Sequence, residues 1–259
     1  MTDRSQPPLY EMNPLDRFSD RATDYVKYRP SYPAAAIEAI LAGFGEPSQL
    51  TAADIGAGTG ISSRLLAERG VRVFAIEPNA EMRQAAAPHT LVEFRDGTSE
   101  ATNLPDRTID LVACFQSFHW FNPVLTLPEF RRILKPSGRL AVVWNLRDRS
   151  DALTQGYTQI VKSASNNHPA EKRDRSIEPL LASSEFTDVK HWDFANRQDV
   201  DLAGLIGRAT STSYIPKSGP QFQKIISNLT ELYETHCGDR GFVSLVYKTR
   251  VYLGNPTDC

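Results

Sequence analysis

The sequence predicts an α/β fold in which a mostly parallel sheet of seven strands has helices on both faces. Short apolar segments alternate with helical stretches from residue 51 to residue 144, as in parallel strands joined by crossover helices. Residues 111–115 and 140–144 are almost wholly apolar, as strands buried on both faces must be. Apolar and polar residues alternate in the last segment, 242–253, for which we expect an antiparallel C-terminal hairpin.

The first half of the chain divides into an arm, a helical segment and a core. Residues 1–13 are polar and include two prolines, so we expect a flexible N-terminal arm. Residues 14–46 are predicted to hold two helices, near 16–26 and from Pro33 to the glycines at 43–45. The core, residues 50–145, is predicted to supply five strands, near 51–55, 71–76, 91–94, 109–115 and 140–144.

The second half changes composition immediately after the fifth strand. Residues 147–175 are polar and rich in charge, which predicts a helical insertion over 146–185. This insertion and the N-terminal helix are expected to form a helical cap over the substrate. The sheet is predicted to resume within 186–259, as strands near 189–194 and 242–253 with helices near 200–208 and 221–236 between them. We expect residues 14–259 to form a single domain.

The composition argues against several classes of partner. The 259 residues carry a net charge of −2 and no basic cluster, so neither nucleic acid nor a membrane surface is a predicted partner. No apolar run resembles a signal peptide or is long enough to span a bilayer. The three cysteines show no metal-ligand spacing, so we expect no metal, no disulfide framework and a cytoplasmic location. Oligomeric state is left open.

A glycine-rich segment, Ala53 to Gly60, gives the main functional signal. It lies where the first strand turns into a helix, so its glycines permit positive φ angles and the helix start presents unpaired N–H groups. Glu77 ends the next strand, at the position where a carboxylate can accept hydrogen bonds from both hydroxyls of a ribose. The ligand is therefore predicted to contain a nucleoside.

A dinucleotide would suit the same two features, and the spacing argues against it. The pyrophosphate fingerprint is G-x-G-x-x-G, whereas this loop reads G-x-G-x-G and Ile61 stands in place of the third glycine. Asp54 would repel a pyrophosphate but attract a sulfonium and an amino group. The loop therefore favours a cationic nucleoside that carries an amino acid.

Further motifs surround this loop, at residues 77–82, 97–112 and 129–138. Together these segments, over about residues 53–144, resemble the class I S-adenosylmethionine (SAM)-dependent methyltransferases of the small-molecule type. Residues 28–33 and 116–121 also resemble the methyltransferase type 11 group that includes trans-aconitate methyltransferase-like enzymes. The resemblance implies a Rossmann-like fold, SAM as cofactor, S-adenosylhomocysteine (SAH) as product and no metal, and it implies no particular substrate.

Carried over position by position, the resemblance implies a cofactor site at the carboxyl ends of the first four strands. The glycine-rich loop would surround the methionine half of SAM, and Glu77 would bind the ribose. Thr98 stands where many relatives have an aspartate that binds the adenine amino group, so we expect that contact to move to the main chain or to Ser99. The implied cofactor-binding residues are Asp54, Gly56, Ala57, Gly58, Thr59, Gly60, Glu77, Pro78, Asn79, Met82, Thr98, Ser99, Gln116 and Arg29.

The loop after the fourth strand is predicted to contact the methyl acceptor. His119 is the predicted catalytic base, needed for a hydroxyl acceptor but not for a carboxylate, which attacks as it stands. Tyr28, His119 and Trp120 are the predicted substrate-binding residues. Two alternatives stay open: His119 is a structural group of an aromatic core, and Arg29 is a surface charge rather than a ligand for the SAM carboxylate or an acidic substrate.

The predicted function is methyl transfer from SAM to a small molecule, most simply onto a carboxylate or hydroxyl oxygen. In-line displacement at an activated methyl group depends mainly on alignment and exclusion of water. One alternative, a nicotinamide-dependent oxidoreductase, is disfavoured by the missing third glycine and by the lack of an obvious hydride-transfer constellation such as Tyr-x-x-x-Lys. A second alternative, a non-catalytic SAM- or nucleoside-binding protein, is compatible with the same motifs.

Overall fold

In the computed structural model, seven strands form one mixed sheet in the order β3-β2-β1-β4-β5-β7-β6. The structure describes residues 8–12, 26–165, 168, 177–212, 214–216 and 218–257. Strands β1 to β5 pair in parallel, and β7 runs antiparallel to both β5 and β6. This confirms the predicted fold class. The strands are β1 (Thr51–Ile55), β2 (Arg72–Ile76), β3 (Val92–Arg95), β4 (Ile109–Phe115), β5 (Leu134–Arg147), β6 (Phe186–Val200) and β7 (Val243–Pro256).

Eight α-helices lie wholly within the described residues. They are α1 (Ala34–Leu41), α2 (Ile61–Ala67), α3 (Ala80–Gln84), α4 (Pro123–Ile133), α5 (Ala152–Ala164), α6 (Glu178–Leu181), α7 (Leu202–Thr210) and α8 (Gly219–Cys237). Asn79, Asp151 and Asp201 cap α3, α5 and α7, because each side chain accepts a hydrogen bond from an N–H group of the first turn. The predicted helix near 16–26 lies outside the described residues except at Val26.

The two faces of the sheet support separate hydrophobic cores. Along β4, Val112 and Cys114 face one core, which α4 covers with Phe130. Leu111 and Ala113 face the other core, which α1 and α2 cover. Because successive side chains of a strand point to opposite faces, an almost wholly apolar strand satisfies both cores at once.

The C-terminal strands are longer than predicted. Strand β5 begins at Leu134 rather than near residue 140, and β6 extends over Phe186–Val200. Both pair with β7 along most of their length, so backbone hydrogen bonds stabilise even the polar part of β6. The antiparallel pairing of β6 and β7 is confirmed, and α7 and α8 connect the two strands where helices near 200–208 and 221–236 were predicted.

A third hydrophobic cluster lies beside the sheet, where β5 ends and β7 begins. It joins α5, α7 and α8 through buried side chains that include Tyr157, Leu205 and Leu229, together with Tyr247 of β7. This places α5, the first helix after β5, at the carboxyl end of the parallel strands. Within the described residues, no helix combines the length and the apolar character needed to cross a membrane.

Candidate active site

The loop between β1 and α2 has three glycines with positive φ, at Gly56 (66°), Gly58 (57°) and Gly60 (73°). Glycine adopts this conformation without the steric cost that a Cβ atom would add. The N–H groups of Gly56 and Ala57 both donate to the carbonyl oxygen of Ile76, at 2.9 and 3.2 Å. The glycine-rich loop is therefore bound to the end of β2, where Glu77 follows.

Gly56 also permits a close contact within the protein. A Cβ atom at this position would lie 2.8 Å from Cβ of Ser117 and 3.1 Å from Cζ of Phe121. Ser117 Oγ donates a hydrogen bond of 2.7 Å to the carbonyl oxygen of Ile55. The segment after β4 thus packs directly on the glycine-rich loop, so protein packing itself requires a glycine here.

Glu77 connects the glycine-rich loop to α3. Its Oε2 accepts a hydrogen bond of 2.8 Å from the N–H of Gly58, and its Oε1 accepts one of 2.9 Å from the N–H of Asn79. Burial raises the pKa of Glu77, although these two N–H groups oppose the rise. Each carboxylate oxygen has a second lone pair available to a ligand. Glu77 is therefore both a structural tie and a candidate acceptor for ribose hydroxyls.

Asp54 lies beneath the loop, and its Oδ1 has no hydrogen-bond partner among the described residues. Its side chain is fully buried, and Oδ2 accepts hydrogen bonds of 2.6 Å from the hydroxyls of both Ser62 and Ser63. Burial raises the pKa of Asp54 to about 6, with the two serine hydroxyls opposing the rise. Asp54 thus fixes the start of α2 against β1, and it borders neither of the cavities described below.

The buried position of Asp54 predicts a pH dependence of stability. Its pKa is about 6 in the folded protein against an ordinary value of 3.8, so the unfolded chain gives up this proton more readily. Wild-type stability should therefore fall as pH rises through this range, whereas Asp54→Asn lacks this loss. Between about pH 4 and pH 7.5 we expect the wild type to lose about 2 kcal/mol relative to the variant. Urea unfolding of both proteins at the two pH values measures this, and parallel pH profiles would contradict it.

A cavity of about 570 Å³ opens at the carboxyl ends of the parallel strands. This volume lies within the usual range for small-molecule sites, and the position is the one where open α/β sheets bind ligands. Most of the predicted cofactor-binding residues border this cavity. The predicted residues that border it are Gly56, Gly58, Glu77, Pro78, Asn79, Met82, Thr98, Ser99, Gln116 and Trp120.

Sequence reasoning missed several residues that border the same cavity. Tyr10 and Glu11 belong to a short 3-10 turn, Leu9–Glu11, which contacts the turn Phe118–Trp120 after β4. No local pattern in the N-terminal arm indicates this contact. Glu100 follows the predicted Ser99 directly, and its position beside Ser99 was the available signal. Ser117 and Phe121 lie in the predicted acceptor loop, and the other missed residues are Gly97, Phe115, Asn122 and Leu125.

Gln116 stands between this cavity and a second, much smaller one. Its φ of 57° is unusual for a residue other than glycine, and its Nε2 donates to the carbonyl oxygen of Asn145 at 3.2 Å. The second cavity, about 30 Å³, is bordered by Gln116, Ala57 and Asn145 and by two arginines, Arg29 and Arg208. Because Gly56, Phe115 and Gln116 border both spaces, the two cavities adjoin at the end of β4.

Hydrogen bonds from two strands hold the segment around Arg29 in place. Asn145 of β5 and Asn196 of β6 donate to the carbonyl oxygen of Ser31, at 3.2 and 2.9 Å. Arg29 itself donates from its guanidinium to the carbonyl oxygen of Ser211 at 3.1 Å. The structure therefore places Arg29, which is half-buried, beside the small cavity.

Tyr28, a predicted substrate-binding residue, packs on α7 instead of bordering either cavity. A Cβ atom at Gly207 would lie 2.4 Å from the Tyr28 ring, so the ring occupies the space that this glycine leaves. The carbonyl oxygen of Tyr28 also accepts a hydrogen bond of 3.0 Å from Gln198 Nε2. These contacts give Tyr28 a positioning role for the neighbouring Arg29.

The structure does not bring His119 to either cavity. Its side chain is 7% exposed, and Nδ1 accepts a hydrogen bond of 3.4 Å from the indole of Trp144. The 3-10 turn at Phe118–Trp120 directs Trp120 toward the larger cavity and His119 toward the core. This geometry favours the structural alternative for His119. Thr59 and Gly60, two other predicted site residues, also do not border the cavities.

Comparisons with known proteins agree with this geometry. The family described as the methyltransferase domain matches residues 53–142. An uncharacterized methyltransferase of Mycobacterium tuberculosis is 32% identical over 223 residues, which cover 85% of this chain and 86% of the relative. The chain belongs to the methyltransferase family. This protein is therefore a class I, SAM-dependent methyltransferase. The assignment argues against the alternative of a nicotinamide-dependent oxidoreductase.

Solved structures show that this methyltransferase shares its fold with distant relatives. A protein from Anaeromyxobacter dehalogenans, described provisionally as a type II methyltransferase, superposes with a TM-score of 0.69 at 20% identity and covers 88% of this chain and 98% of its own. An N-methyltransferase of Haemonchus contortus in complex with SAH has a TM-score of 0.56 at 14% identity, over 95% of this chain and 59% of its own. In the described part of the methyltransferase, no group of three His, Cys, Asp or Glu side chains is placed to hold a metal ion.

Proposed function

We propose that this methyltransferase binds SAM in the larger cavity, with the ribose at Glu77, and transfers the methyl group to a small-molecule acceptor. The observation that carries the proposal is the arrangement of Glu77, which borders the cavity while its two oxygens hold the glycine-rich loop and the start of α3. The buried carboxylate, the open glycine backbone and a volume of about 570 Å³ fit a nucleoside with an amino acid side chain. The SAH complex of the H. contortus relative supports the same cofactor.

The residues around the cavity suggest how each part of the cofactor is held. Met82 and Pro78 offer apolar surface beside the adenine, and Ser99 or the main chain near Thr98 offers hydrogen bonds. Gln116 and the loop at Gly56 lie toward the methionine half, where the two cavities adjoin. When bound, SAM supplies a methyl group that its sulfonium already activates. The chain then needs to align the acceptor and exclude water, which proximity and enclosure achieve.

Among the two candidate acceptor atoms, a carboxylate oxygen fits the described residues better than a hydroxyl oxygen. His119, the predicted base, is buried against Trp144. None of the described residues that border either cavity is a histidine, lysine or cysteine, and two of the three glutamates at the larger cavity, Glu77 and Glu100, already accept hydrogen bonds from protein groups. A hydroxyl requires a base to remove its proton during transfer, whereas a carboxylate is already ionised at neutral pH. The proposed reaction is therefore formation of a methyl ester.

The cap over the acceptor is part of the same proposal. Residues 26–33 are tied to β5 and β6 next to the small cavity, and α5 lies at the carboxyl end of β5. We expect amide hydrogen exchange in residues 26–33 and 152–165 to slow when SAH binds, because closure protects backbone N–H groups. Hydrogen-exchange mass spectrometry measures this, with α4 as the internal control. Unchanged exchange in both segments would contradict the proposed cap.

Methyl transfer from labelled SAM to a metabolite extract tests the proposed function. We expect a labelled product of low molecular mass, and treatment with mild alkali should release the label as methanol because a methyl ester hydrolyses under these conditions. A labelled product that resists alkali would indicate an ether or amine and would contradict the carboxylate assignment. The same extracts should give labelled products with other methyltransferases, as a control. If the label then stays in SAM with this protein, a non-catalytic binding protein is favoured.

A further inference from the structure

A tight turn shortly after β3 presents two polar side chains at the larger cavity. The N–H of Thr98 donates to the carbonyl oxygen of Ala101 at 3.2 Å, and the N–H of Ala101 donates to the carbonyl oxygen of Thr98 at 3.3 Å. Ser99 and Glu100 occupy the two central positions of this turn, and both border the cavity. Because these hydrogen bonds engage the main chain of Thr98, the turn offers a ligand chiefly the side chains of Ser99 and Glu100.

The two carboxylate oxygens of Glu100 differ in their contacts. Oε1 accepts a hydrogen bond of 3.3 Å from the N–H of Asn122 and lies 3.4 Å from Oγ1 of Thr126 in α4. Oε2 has no hydrogen-bond partner among the described residues. The contacts of Oε1 hold this half-buried side chain in place. A ligand that binds Oε2 therefore meets an acceptor that is already ordered, which lowers the entropic cost of binding.

Ser99 is less suited than Glu100 to recognise one particular base. It is 4% exposed, and its Oγ accepts a hydrogen bond of 3.1 Å from Oγ1 of Thr126. A hydroxyl group both donates and accepts hydrogen bonds and rotates to suit its partner, whereas an ionised carboxylate only accepts. Of these two side chains, only that of Glu100 can distinguish an amino group from a carbonyl group.

The order of the strands places this turn at the base end of the proposed cofactor site. From the centre of the sheet outward, the strands are β4, β1, β2 and β3. The glycine-rich loop follows β1, Glu77 follows β2, and the turn at 98–101 follows β3. Neighbouring strands lie about 4.8 Å apart. A nucleoside with its ribose at Glu77 and its methionine half at the glycine-rich loop therefore directs its base toward the turn.

We propose that Oε2 of Glu100 accepts a hydrogen bond from the 6-amino group of adenine and makes the cofactor site selective against 6-oxo purines. The inference rests on the proposed function, since it requires the adenosine of SAM in the larger cavity. A 6-oxo group would bring a second acceptor against the charged oxygen of Glu100. A site built to hydrogen-bond one group rejects an analogue without it, because its own polar atom is then left unpaired.

The test compares SAH with S-inosylhomocysteine, in which hypoxanthine replaces adenine. Isothermal titration calorimetry measures both affinities for wild type, Glu100→Gln and a matched control, Glu81→Gln, at an exposed position of α3. We expect wild type and the control to bind SAH about tenfold or more tightly than S-inosylhomocysteine. In Glu100→Gln this ratio should fall to about threefold or less, because the amide oxygen can face Asn122 while the NH₂ group faces the ligand. A wild-type ratio in folded Glu100→Gln would overturn the inference.

Two further variants separate Glu100 from the other polar groups at the cavity. Ser99→Ala removes the neighbouring hydroxyl, and Glu11→Gln changes the exposed glutamate of the N-terminal 3-10 turn. Each should keep the ratio of the two affinities within about twofold of wild type, even where the affinity for SAH itself falls. Loss of the ratio in either variant, with the ratio retained in Glu100→Gln, would assign the recognition to that residue and overturn the inference.

The wild-type titrations test the inference without any variant. Equal affinity of wild type for SAH and S-inosylhomocysteine would overturn the role of Glu100 and leave the proposed function standing. Failure of the proposed function gives a different result, since wild type would then bind neither ligand and both proposals would fall. Melting temperatures show whether each variant is folded, and Glu100→Gln should melt close to wild type because the amide keeps an acceptor for the N–H of Asn122.

Discussion

Glu77→Gln is expected to weaken SAH binding by about thirtyfold or more, which corresponds to about 2 kcal/mol. The effect is large because both oxygens of Glu77 accept backbone N–H groups, from Gly58 and from Asn79. An amide supplies only one acceptor oxygen, so its NH₂ group would face one of these N–H donors. The glycine-rich loop or the start of α3 would then shift, and the ribose would lose its charged acceptor as well. Calorimetric titration with SAH measures the change.

The matched control for this variant is Glu81→Gln, an exposed position on α3 with the same chemical change. Its SAH affinity should stay within about twofold of wild type. Melting temperatures of both variants show whether the fold is retained. Wild-type SAH affinity in a folded Glu77→Gln variant would mean that the ribose is bound elsewhere.

Gly56→Val is expected to destabilise the protein by about 2–5 kcal/mol, the combined cost of a left-handed backbone and an overpacked contact. Its φ of 66° disfavours any residue with a Cβ atom, and that atom would lie 2.8 Å from Cβ of Ser117. Relief of the contact would separate the segment after β4 from the glycine-rich loop, so SAH affinity should fall together with stability. Urea unfolding and SAH titration measure the two effects.

Two other glycines separate the causes of this effect. Gly219→Val tests the backbone alone, since Gly219 has a φ of 85° but no atom within 4 Å of its Cβ position. Gly45→Val tests neither cause, because Gly45 has a negative or extended φ and open space around it. We expect the loss of stability to follow the order Gly56, Gly219, Gly45. Equal stability of the three variants would show that the contact with Ser117 is not formed.

Local sequence patterns predicted the sheet and the cofactor half of the site. Buried parallel strands must be apolar on both faces, so β4 and the centre of β5 were recognisable from composition alone. The glycine-rich loop and Glu77 were recognisable because their positions follow from chain geometry at the strand ends. Both features, the glycine-rich loop and Glu77, border the larger cavity in the structure.

The remaining features depend on contacts between distant parts of the chain. The sequence placed residues 116–121 after β4, but only the 3-10 turn decides that Trp120 faces the cavity while His119 faces Trp144. Tyr10 reaches the cavity through a turn that has no local signal. Arg208 reads as an ordinary charge near a helix end until the packing of α5 and β7 shows that it is buried.

Equilibrium dialysis of the wild-type protein with labelled SAM tests directly whether the larger cavity binds this cofactor. We expect saturable binding of one SAM per chain, displaced by SAH and not by NAD, because Glu77 and the glycine-rich loop fit a nucleoside without a pyrophosphate. Lack of saturable SAM binding at millimolar concentration, or displacement by NAD as effective as that by SAH, would contradict a SAM site at Glu77 and the glycine-rich loop.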